Sequence, residues 1–559
     1  MIDYINMLEK ILFDKYYHTN GSFKSNVDFS IWADSAYLIL LNKLNLKSDV
    51  QHIVEYILKR QNSNSSWGII SKSNSEPSYK NTIIAYHAIK DYITEEQSNK
   101  ICSFLKNYSG NKWIDPYTEM LISNGKIYYP PIFLNKLPKW ITKAFGYFHM
   151  IMPHIFKWSI FIYPSAWSRH AFPQLTAIGY LLSNPTKKEK IEYLIDKIIS
   201  MQLKNGSWFD TILPTIGAIY ALVLYGMNEQ SLIIQDGLSF LKQRRRPDFG
   251  LNRFNLSVWN TSLSIISLLN SKDSKSGKFQ RSIDFLLRTQ DIRGGWAFSE
   301  YNIGCCDNDD TALAIIALSY AKNAGYVIND SVIQKGIRYL LKQQNRDGGW
   351  GAFDRNQSVK KAGYLPPWHV EYGHELKDPS TADVTGHVLL ALSLNNQYCN
   401  EKIVNRAINF LKKDQTLSGY WYGRWGLCYI YGTSRALIGL TAIGCNDIFV
   451  QKGVDWLLSF QNEDGGWGEN YLSYFEATPI YGNSTLEQTS WALYALMKKN
   501  KTKTPVIQKG INFIFRELEL GQHKNMHGTY SSAAIEPAIY EIYNVIFPLL
   551  CINEYYKLN

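Results

Sequence analysis

Residues 344–350 read Gln-Asn-Arg-Asp-Gly-Gly-Trp, and the pattern of a Gln followed six positions later by a Trp recurs along the chain. The six copies lie at residues 61–67, 202–208, 290–296, 344–350, 415–421 and 461–467. In the C-terminal half the spacing is often roughly fifty residues, which falls in the range of helical repeat units. The repeat therefore predicts an architecture of stacked helix pairs.

The sequence between the Gln–Trp copies has helical periodicity. Amphipathic stretches such as 333–341 precede each copy, with apolar residues recurring at intervals of three and four. A helix of small residues follows each copy, for instance at 385–394, and the Asx/Gly clusters between them are typical of turns. We expect the Gln amide to bind backbone, the Trp indole to cover a helix end, and the Gln–Trp turns to lie on the outside. Because repeated helix pairs close into rings or superhelices, the fold class predicted is all-α, with two α/α-barrel domains.

The uneven distribution of the motifs suggests the domain boundaries. Residues 1–21 are predicted to form an N-terminal helix that packs on the C-terminal barrel. Residues 22–201, with only one complete Gln–Trp copy, are predicted to form the N-terminal α/α barrel. Residues 202–559, with the dense repeats and the acidic cluster described below, are predicted to form the C-terminal barrel.

Composition and charge limit the classes of protein. A chain of 559 residues is too long for one ordinary core. The net charge of +11 could suit nucleic acid, an anionic membrane surface or an anionic ligand, but the basic clusters are short and scattered. We therefore expect no nucleic-acid partner, and the sequence leaves homodimerisation open. Seven cysteines without a CxxC pair argue against a disulfide framework or a structural zinc site.

No targeting or membrane-spanning signal stands out. The N-terminal residues lack the charged and apolar regions of a signal peptide, and no run of 18 apolar residues occurs. The cysteines are then expected to be reduced thiols, and the protein to be cytoplasmic.

Asp307, Asp309 and Asp310 place three carboxylates within four residues, directly before a strong helix pattern. Each carboxylate disfavours ionisation of the next, so the arrangement costs electrostatic free energy. Helix capping explains one or two of these residues, because an Asp at the N-cap or in the first turn satisfies free N–H groups. It does not explain the third, nor the apolar and aromatic sequence around them. The alternative is that one carboxyl is held protonated by its neighbours and acts as an acid.

Three further segments, 378–387, 421–433 and 540–548, accompany the acidic cluster and the Gln–Trp repeats. Together they resemble the squalene–hopene cyclase family of class II triterpene cyclases, including bacterial members of the sporulenol-synthase type. The resemblance runs over nearly the whole chain and is strongest from residue 290 onward. It implies two α/α barrels around an apolar cavity, monotopic attachment to membrane, and cyclisation of a linear polyprene by protonation, with no cofactor and no metal.

The resemblance also implies roles for individual residues. Asp309 would be the proton donor, supported by Asp307 and Asp310, and His387 would hydrogen-bond Asp309 and sharpen its acidity. Asp383 and Tyr431 fall at matching positions around the cluster. Without Asp309 nearby, His387 would be read as an ordinary core histidine.

Aromatic residues are expected to form the walls of the cavity. Carbocations need a dry site and aromatic faces, which attract cations by about 0.5–2 kcal/mol each. Each such residue, taken singly, is more typical of a packed core, and Arg424 is more typical of a structural ion pair than of a diphosphate site. The positions that match the family's cavity are Trp167, Phe298, Phe353, Trp425, Tyr429, Tyr540 and Tyr543.

Departures from the family pattern leave the substrate open. The helix that inserts into membrane in the hopene-forming members is shortened near 183–190, and segments 211–216 and 530–537 lack aromatics found there. Squalene is the best single choice. The alternatives are a polyprenyl diphosphate, tetraprenyl-curcumene, a meroterpenoid precursor or, outside catalysis, an α/α-toroid scaffold. We expect apolar residues in 128–163 to line the substrate entrance or contact lipid, with the protein peripheral on the inner face of the cell membrane.

Rival motif assignments fit less well. Asp307-x-Asp309-x-Thr311 also matches haloacid-dehalogenase-type phosphatases, but that motif must end a buried strand, and 301–306 is not strand-like. A class I terpene synthase would need an Asp where Leu313 lies. A zinc prenyltransferase subunit shares the ring architecture, but the sequence offers no convincing Asp/Cys/His set.

Overall fold

The computed structural model describes residues 2–70, 75–110, 188–269, 276–302, 304–356, 378–395, 400–521, 529–531 and 536–558, and a few single residues between 118 and 186. The described chain is mostly helical, which confirms the all-α prediction. It divides into two compact units. The larger unit is Met1–Asn26 with Asn255–Asn559, and the smaller unit is Val27–Phe254.

The smaller unit contains a short strand, β1 (Val27–Asp28), and a series of helices. The chain reaches it after α1 (Ile2–Ile11) and a π-helical turn at Leu12–Tyr16, which belong to the larger unit. The helices of the smaller unit are α2 (Trp32–Lys43), α3 (Val50–Lys59), α4 (Tyr79–Ile89), α5 (Glu95–Asn107), α6 (Lys188–Ser200), α7 (Ile212–Leu224) and α8 (Leu232–Gln243).

The remaining elements belong to the larger unit. Strands β2 (Thr529–Ser531) and β3 (Glu536–Tyr540) pair antiparallel, with Tyr530 opposite Pro537. The helices are α9 (Ser257–Leu268), α10 (Gly277–Arg288), α11 (Asn308–Asn323), α12 (Asp330–Gln343), α13 (Ala382–Ser393), α14 (Glu401–Asp414), α15 (Cys428–Ala442), α16 (Ile448–Ser459), α17 (Leu472–Phe475), α18 (Leu486–Asn500), α19 (Pro505–Glu519) and α20 (Tyr543–Tyr555).

The helices of the larger unit form two concentric rings. Helices α9, α11, α13, α15, α18 and α20 each pack on the next, and α20 packs back on α9, so the inner ring closes. Helices α10, α12, α14, α16 and α19 pack outside the inner helices that precede them. The position outside α20 is filled by α1, whose Tyr4 ring stacks on Phe515 of α19 at 5.2 Å. The N-terminal helix thus completes the outer ring of the C-terminal barrel, as the sequence predicts.

How much of each helix is buried depends on whether it lies in the inner or the outer ring. The outer helix α10 buries one stripe that includes Phe279, Ile283 and Leu286, whereas α11 is buried on all sides from Asn308 to Ser319. Amphipathic sequence therefore marks the outer ring, and all-round apolar or small sequence marks the inner ring.

The Gln–Trp motifs connect an outer helix to the next inner helix. In all six copies the Trp indole N–H donates to the backbone carbonyl ten residues earlier, at 2.6–2.8 Å. In five copies the Gln side chain donates both to the Gly four residues later and to the first turn of the following outer helix. The six Trp side chains are fully buried. The Trp side chains therefore lie between the rings, whereas the middle of the turn is exposed, for example at Arg346 and Asp347.

A Thr near the start of the next inner helix completes each motif. The backbone N–H of Trp296, for example, donates to the Thr311 hydroxyl at 2.8 Å. The same contact recurs at Thr82, Thr215, Thr385, Thr433 and Thr489. Each motif thus fixes where an inner helix begins.

The boundary predicted at residue 202 is not where the structure divides the chain. Trp208 belongs to the same hydrophobic core as Trp67 and Leu251, and Asp210 pairs with Arg244 at 2.8 Å. Residues 202–254 therefore belong to the smaller unit, and the divisions fall after Asn26 and after Phe254.

The predicted substrate entrance at 128–163 and Trp167 lie outside the described residues. Within the described residues, no helix is both long and apolar enough to cross a membrane.

Candidate active site

The predicted site residues gather where the inner helices of the larger unit begin. Asp307 caps α11, Asp383 lies in the first turn of α13, and Tyr431 lies in the first turn of α15. Because an outer helix returns the chain after each inner helix, these inner helices run in the same direction. Their N-terminal ends carry partial positive charge, which favours acidic side chains at this end of the ring.

Asp307 is the N-cap of α11. Its Oδ1 accepts hydrogen bonds from the backbone N–H groups of Asp309 at 2.6 Å and Asp310 at 3.2 Å. Asn308 anchors the same turn, since its side chain donates to the carbonyl of Gly351 at 2.8 Å. The capping interpretation is therefore correct for Asp307, which orients the two carboxylates that follow it.

Asp309 and His387 are in direct contact. Nδ1 of His387, on α13, lies 2.7 Å from Oδ1 of Asp309, and both side chains are buried. Thr311 fixes the turn that carries Asp309, through its contact with Trp296. The predicted partnership of these two residues is present in the structure.

Burial and mutual repulsion favour protonated carboxyls in the cluster. Burial, followed by the charges of Asp310 and Asp309, raises the pKa of Asp307 well above its usual range, although it accepts two backbone hydrogen bonds. Burial and the charge of Asp309 likewise raise the pKa of Asp310. Within the described part of the chain, Oδ1 of Asp310 has no hydrogen-bond partner. The cluster therefore retains protons at pH values at which exposed carboxyls are ionised.

Asp383 links two inner helices beside the cluster. Its Oδ2 accepts hydrogen bonds from the backbone N–H groups of Arg424 and Trp425, each at 2.9 Å. Burial and the charge of Asp309 raise the pKa of Asp383. Asp383 thus holds the segment before α15 against α13 and adds a further acid close to Asp309.

Close packing of α13 on α15 brings Tyr431 near His387. A Cβ at Gly386 would lie 2.2 Å from the carbonyl oxygen of Arg435, and one at Gly426 would lie 2.3 Å from the Tyr431 ring. The ring centroids of Tyr431 and His387 are consequently 6.4 Å apart. Burial raises the pKa of Tyr431 well above its usual range, so it remains a neutral phenol.

An aromatic wall surrounds His387 and Tyr431. Trp259 lies edge-on to His387 at 6.0 Å and donates its indole N–H to the Tyr543 hydroxyl at 2.5 Å. Tyr543 stacks on Tyr540 at 4.7 Å. Two further members, Trp491 at 4.7 Å from the Tyr431 ring and Phe547 at 4.9 Å from the Tyr543 ring, extend it. Sequence reasoning identified Tyr540 and Tyr543 but missed Trp259, Trp491 and Phe547.

Phe353 and Trp425 form a separate edge-to-face pair, with ring centroids 6.0 Å apart. Asp378 holds this pair in place, because it accepts the Phe353 N–H at 2.5 Å and lies 3.6 Å from the Arg424 guanidinium. Arg424 thus forms the structural ion pair that the sequence suggests.

Two other predicted wall residues have different surroundings. Phe298 is buried next to the first residues of α9, and its carbonyl accepts the N–H of Val258 at 3.1 Å. The Tyr429 ring packs on Tyr420 at 4.9 Å and on Tyr422 at 6.0 Å. Tyr429 is therefore not part of the wall around His387. It lies two residues from Tyr431, on the other side of α15.

Comparison with known proteins identifies the family. A model described as the squalene-hopene cyclase C-terminal domain matches residues 255–557, which is more than half of the chain. The chain belongs to the squalene–hopene cyclase family. Its members are class II terpene cyclases, and the resemblance inferred from the motifs is thereby confirmed. A second model, described as a prenyltransferase alpha-alpha toroid domain, matches residues 10–112.

Three relatives are 29–35% identical to this chain over the aligned residues. A probable squalene–hopene cyclase of Sinorhizobium fredii is 35% identical over 282 residues, covering 46% of this chain and 42% of its own length. Sporulenol synthase of Bacillus subtilis is 29% identical over 389 residues, covering 65% of this chain and 59% of its own length. A terpene cyclase–glycosyl transferase fusion protein of Humicola fuscoatra is 31% identical over 386 residues, covering 61% of this chain and 28% of its own length. The chain thus spans between 28% and 59% of the length of these relatives.

Among solved structures, ent-copalyl diphosphate synthase from Streptomyces platensis has the same fold. It is similar over 99% of both chains, with a TM-score of 0.56 and 13% sequence identity.

Proposed function

We propose that this protein cyclises a linear polyprene by protonation, with Asp309 as the general acid. The observation that carries the proposal is the buried contact between Asp309 and His387, within a cluster of carboxyls at a helix N-terminus. An alkene is a very weak base, so its protonation needs an acid that is strong and still protonated at the working pH. The hydrogen bond with His387 supplies the acid strength, and the raised pKa values of Asp307 and Asp310 keep protons in the cluster around Asp309.

The contact with His387 leaves one oxygen of Asp309 for the substrate. When the N–H of His387 donates to Oδ1, the transferable proton is on Oδ2. The proton adds to a terminal alkene, the next alkene attacks the cation to close a ring, and the positive charge moves along the chain. The hydrogen bond from His387 stabilises the carboxylate that remains, which lowers the barrier to proton transfer.

The aromatic wall then stabilises the cations. Trp259, Tyr540 and Tyr543 present aromatic rings close to His387, and cation–π attraction contributes about 0.5–2 kcal/mol at each face. The same buried wall excludes water, which would capture the cations early. The cascade ends when the last cation loses a proton or takes up water.

We propose squalene as the first substrate to test, followed by polyprenyl diphosphates, tetraprenyl-curcumene and meroterpenoid precursors. We also propose peripheral attachment to the inner face of the cell membrane, because such substrates are dissolved in lipid. Flotation with anionic liposomes at low salt tests this attachment, and protein that stays in the soluble fraction would refute it.

The decisive experiment supplies purified protein with squalene and with shorter polyprenes and their diphosphates, in the presence of a metal chelator. Gas chromatography with mass spectrometry then identifies the products. Cyclic isomers or hydrates of one substrate are expected. If folded protein converts none of these substrates, the proposal is refuted.

A further inference from the structure

Glu487 is a buried carboxyl that the acid mechanism does not use. It lies in the first turn of α18 and is 1% exposed. Within the described residues, neither of its carboxyl oxygens has a hydrogen-bond partner. It does not serve as the helix cap, because Thr485 is the N-cap of α18 and accepts from the N–H of Gln488 at 3.1 Å. A buried acid without a partner is costly and calls for a functional explanation.

Glu469 shows how a structural carboxyl in the same unit behaves. It is 2% exposed, and it accepts backbone N–H groups of Tyr429 at 3.0 Å and Ile430 at 3.1 Å, at the start of α15. It therefore caps an inner helix with its hydrogen bonds satisfied. The contrast separates Glu487 from the acidic residues that hold helix ends in place.

Arg435 provides the charge opposite Glu487. It lies on α15, which packs against α18, and its guanidinium is 5.0 Å from the centre of the Tyr431 ring and 5.5 Å from that of Phe547. Burial raises the pKa of Glu487 well above its usual range, so its carboxylate binds a proton strongly, and the charge of Arg435 opposes that rise. Because arginine stays protonated in proteins, this counter-charge is permanent.

The surroundings place Glu487 in the aromatic wall near the initiating acid. Trp491, one helical turn after Glu487 on the same face of α18, contacts the rings of Tyr431 at 4.7 Å and Phe547 at 5.6 Å. The Tyr431 ring in turn faces His387. Burial is the main reason why the pKa values of Tyr431 and Tyr543 are raised, and the charge of Glu487 contributes to both. Glu487 therefore lies among the first rings that a cation formed at Asp309 would meet.

We propose that Glu487 is the base that ends the cation cascade early, after the first or second ring closure. This inference rests on the proposed cyclase function and assigns its product class. Each ring closure moves the charge one isoprene unit further from Asp309, so a base in this part of the wall meets only the early cations. A C–H bond next to the cationic carbon breaks, its electron pair forms a new C=C bond, and the proton adds to the Glu487 carboxylate.

The protons balance over the full cycle. The substrate gains one proton from Asp309 and loses one to Glu487, so the product is an isomer of the substrate with one or two rings and a new alkene. Burial stabilises the neutral acid that forms at Glu487, and Arg435 favours its return to the carboxylate. The cycle is complete when a proton leaves Glu487 and another reaches Asp309.

The test compares the products of the full chain with those of Glu487→Gln, using squalene and geranylgeranyl diphosphate as probes. In the wild type, isomers with one or two rings should predominate. In Glu487→Gln, the ratio of these isomers to further-cyclised or hydroxylated products should fall by about tenfold or more, since a general base contributes at least that much. Substrate consumption should fall less than this ratio, because protonation by Asp309 precedes the step.

Two further variants control for an effect of the substitution on folding. Glu469→Gln removes an equally buried carboxyl and should leave the product ratio unchanged. Glu487→Asp keeps the carboxyl on a shorter side chain and should give an intermediate ratio. A wild type that consumes a probe but yields fully cyclised products, or an unchanged ratio in folded Glu487→Gln, overturns the inference and leaves the cyclase function standing. A wild type that consumes neither probe overturns this inference, and the full substrate set then decides the cyclase function.

Discussion

Replacing Asp309 by Asn should abolish cyclisation and leave the fold intact. An amide has no proton acidic enough for an alkene, so turnover should fall by about 10⁴-fold or more. The amide oxygen can still accept the hydrogen bond that His387 makes at 2.7 Å. Because the mechanism starts from a neutral acid, the amide changes no charge, and the bond should weaken by at most about 1 kcal/mol. The melting temperature should therefore change by less than about 4 °C.

The assay measures cyclic product by gas chromatography and folding by circular dichroism and thermal melting. Asp330→Asn is the matched control, because Asp330 also lies in the first turn of a helix but is exposed. It should retain full activity. If the cluster served only to cap α11, the Asp309 variant would lose stability and keep activity in proportion to folded protein. Substantial turnover by well-folded Asp309→Asn would refute the acid mechanism.

Three further predictions concern His387, Asp307 and Glu469. His387→Ala should slow cyclisation by about 10- to 100-fold, less than Asp309→Asn, because it tunes the acid without supplying the proton; initial rates on the same substrate check this. Asp307→Ala should cost about 1–2 kcal/mol of stability in urea denaturation, while Asp307→Asn, which keeps an N-cap acceptor, should cost less. Burial raises the pKa of Glu469 to about 7, so the folded state keeps a proton that the unfolded state releases. Stability should fall as pH rises from about 4.5 to 7. Glu469→Gln should flatten that slope, and an unchanged slope would contradict it.

The parts of the fold that repeat in sequence could be predicted, and those that depend on ring closure could not. The Gln–Trp periodicity marks the end of each outer helix, so helix pairs and barrels follow from it. The domain boundary does not follow from the periodicity. The motif ending in Trp208 resembles the C-terminal copies in sequence but packs into the core of the smaller unit. Only tertiary contacts decide which barrel a helix pair joins.

The acid cluster could be predicted because its members are close in sequence. The aromatic wall around His387 could not be predicted in full. Tyr429 and Tyr431 are equally plausible in sequence, but the phase of α15 turns only Tyr431 towards His387. Trp259 and Trp491 lie far from the cluster in sequence and reach it through the closed inner ring. Glu487 resembles an ordinary first-turn acid until Thr485 is seen to be the cap. Helix phase and ring order are the missing information in each case.

Placing α1 outside α20 has a consequence for folding during synthesis. The smaller unit is contiguous in the chain, so it can form its core as soon as residue 254 has left the ribosome. The larger unit needs helices from both sides of it, and its inner ring stays open until Tyr543–Tyr555 has been made. Until then α1 lacks its contacts with α20, and the inner ring has an open seam. Contacts of such long sequence separation form slowly, so nascent chains of the larger unit should depend on chaperones more than those of the smaller unit.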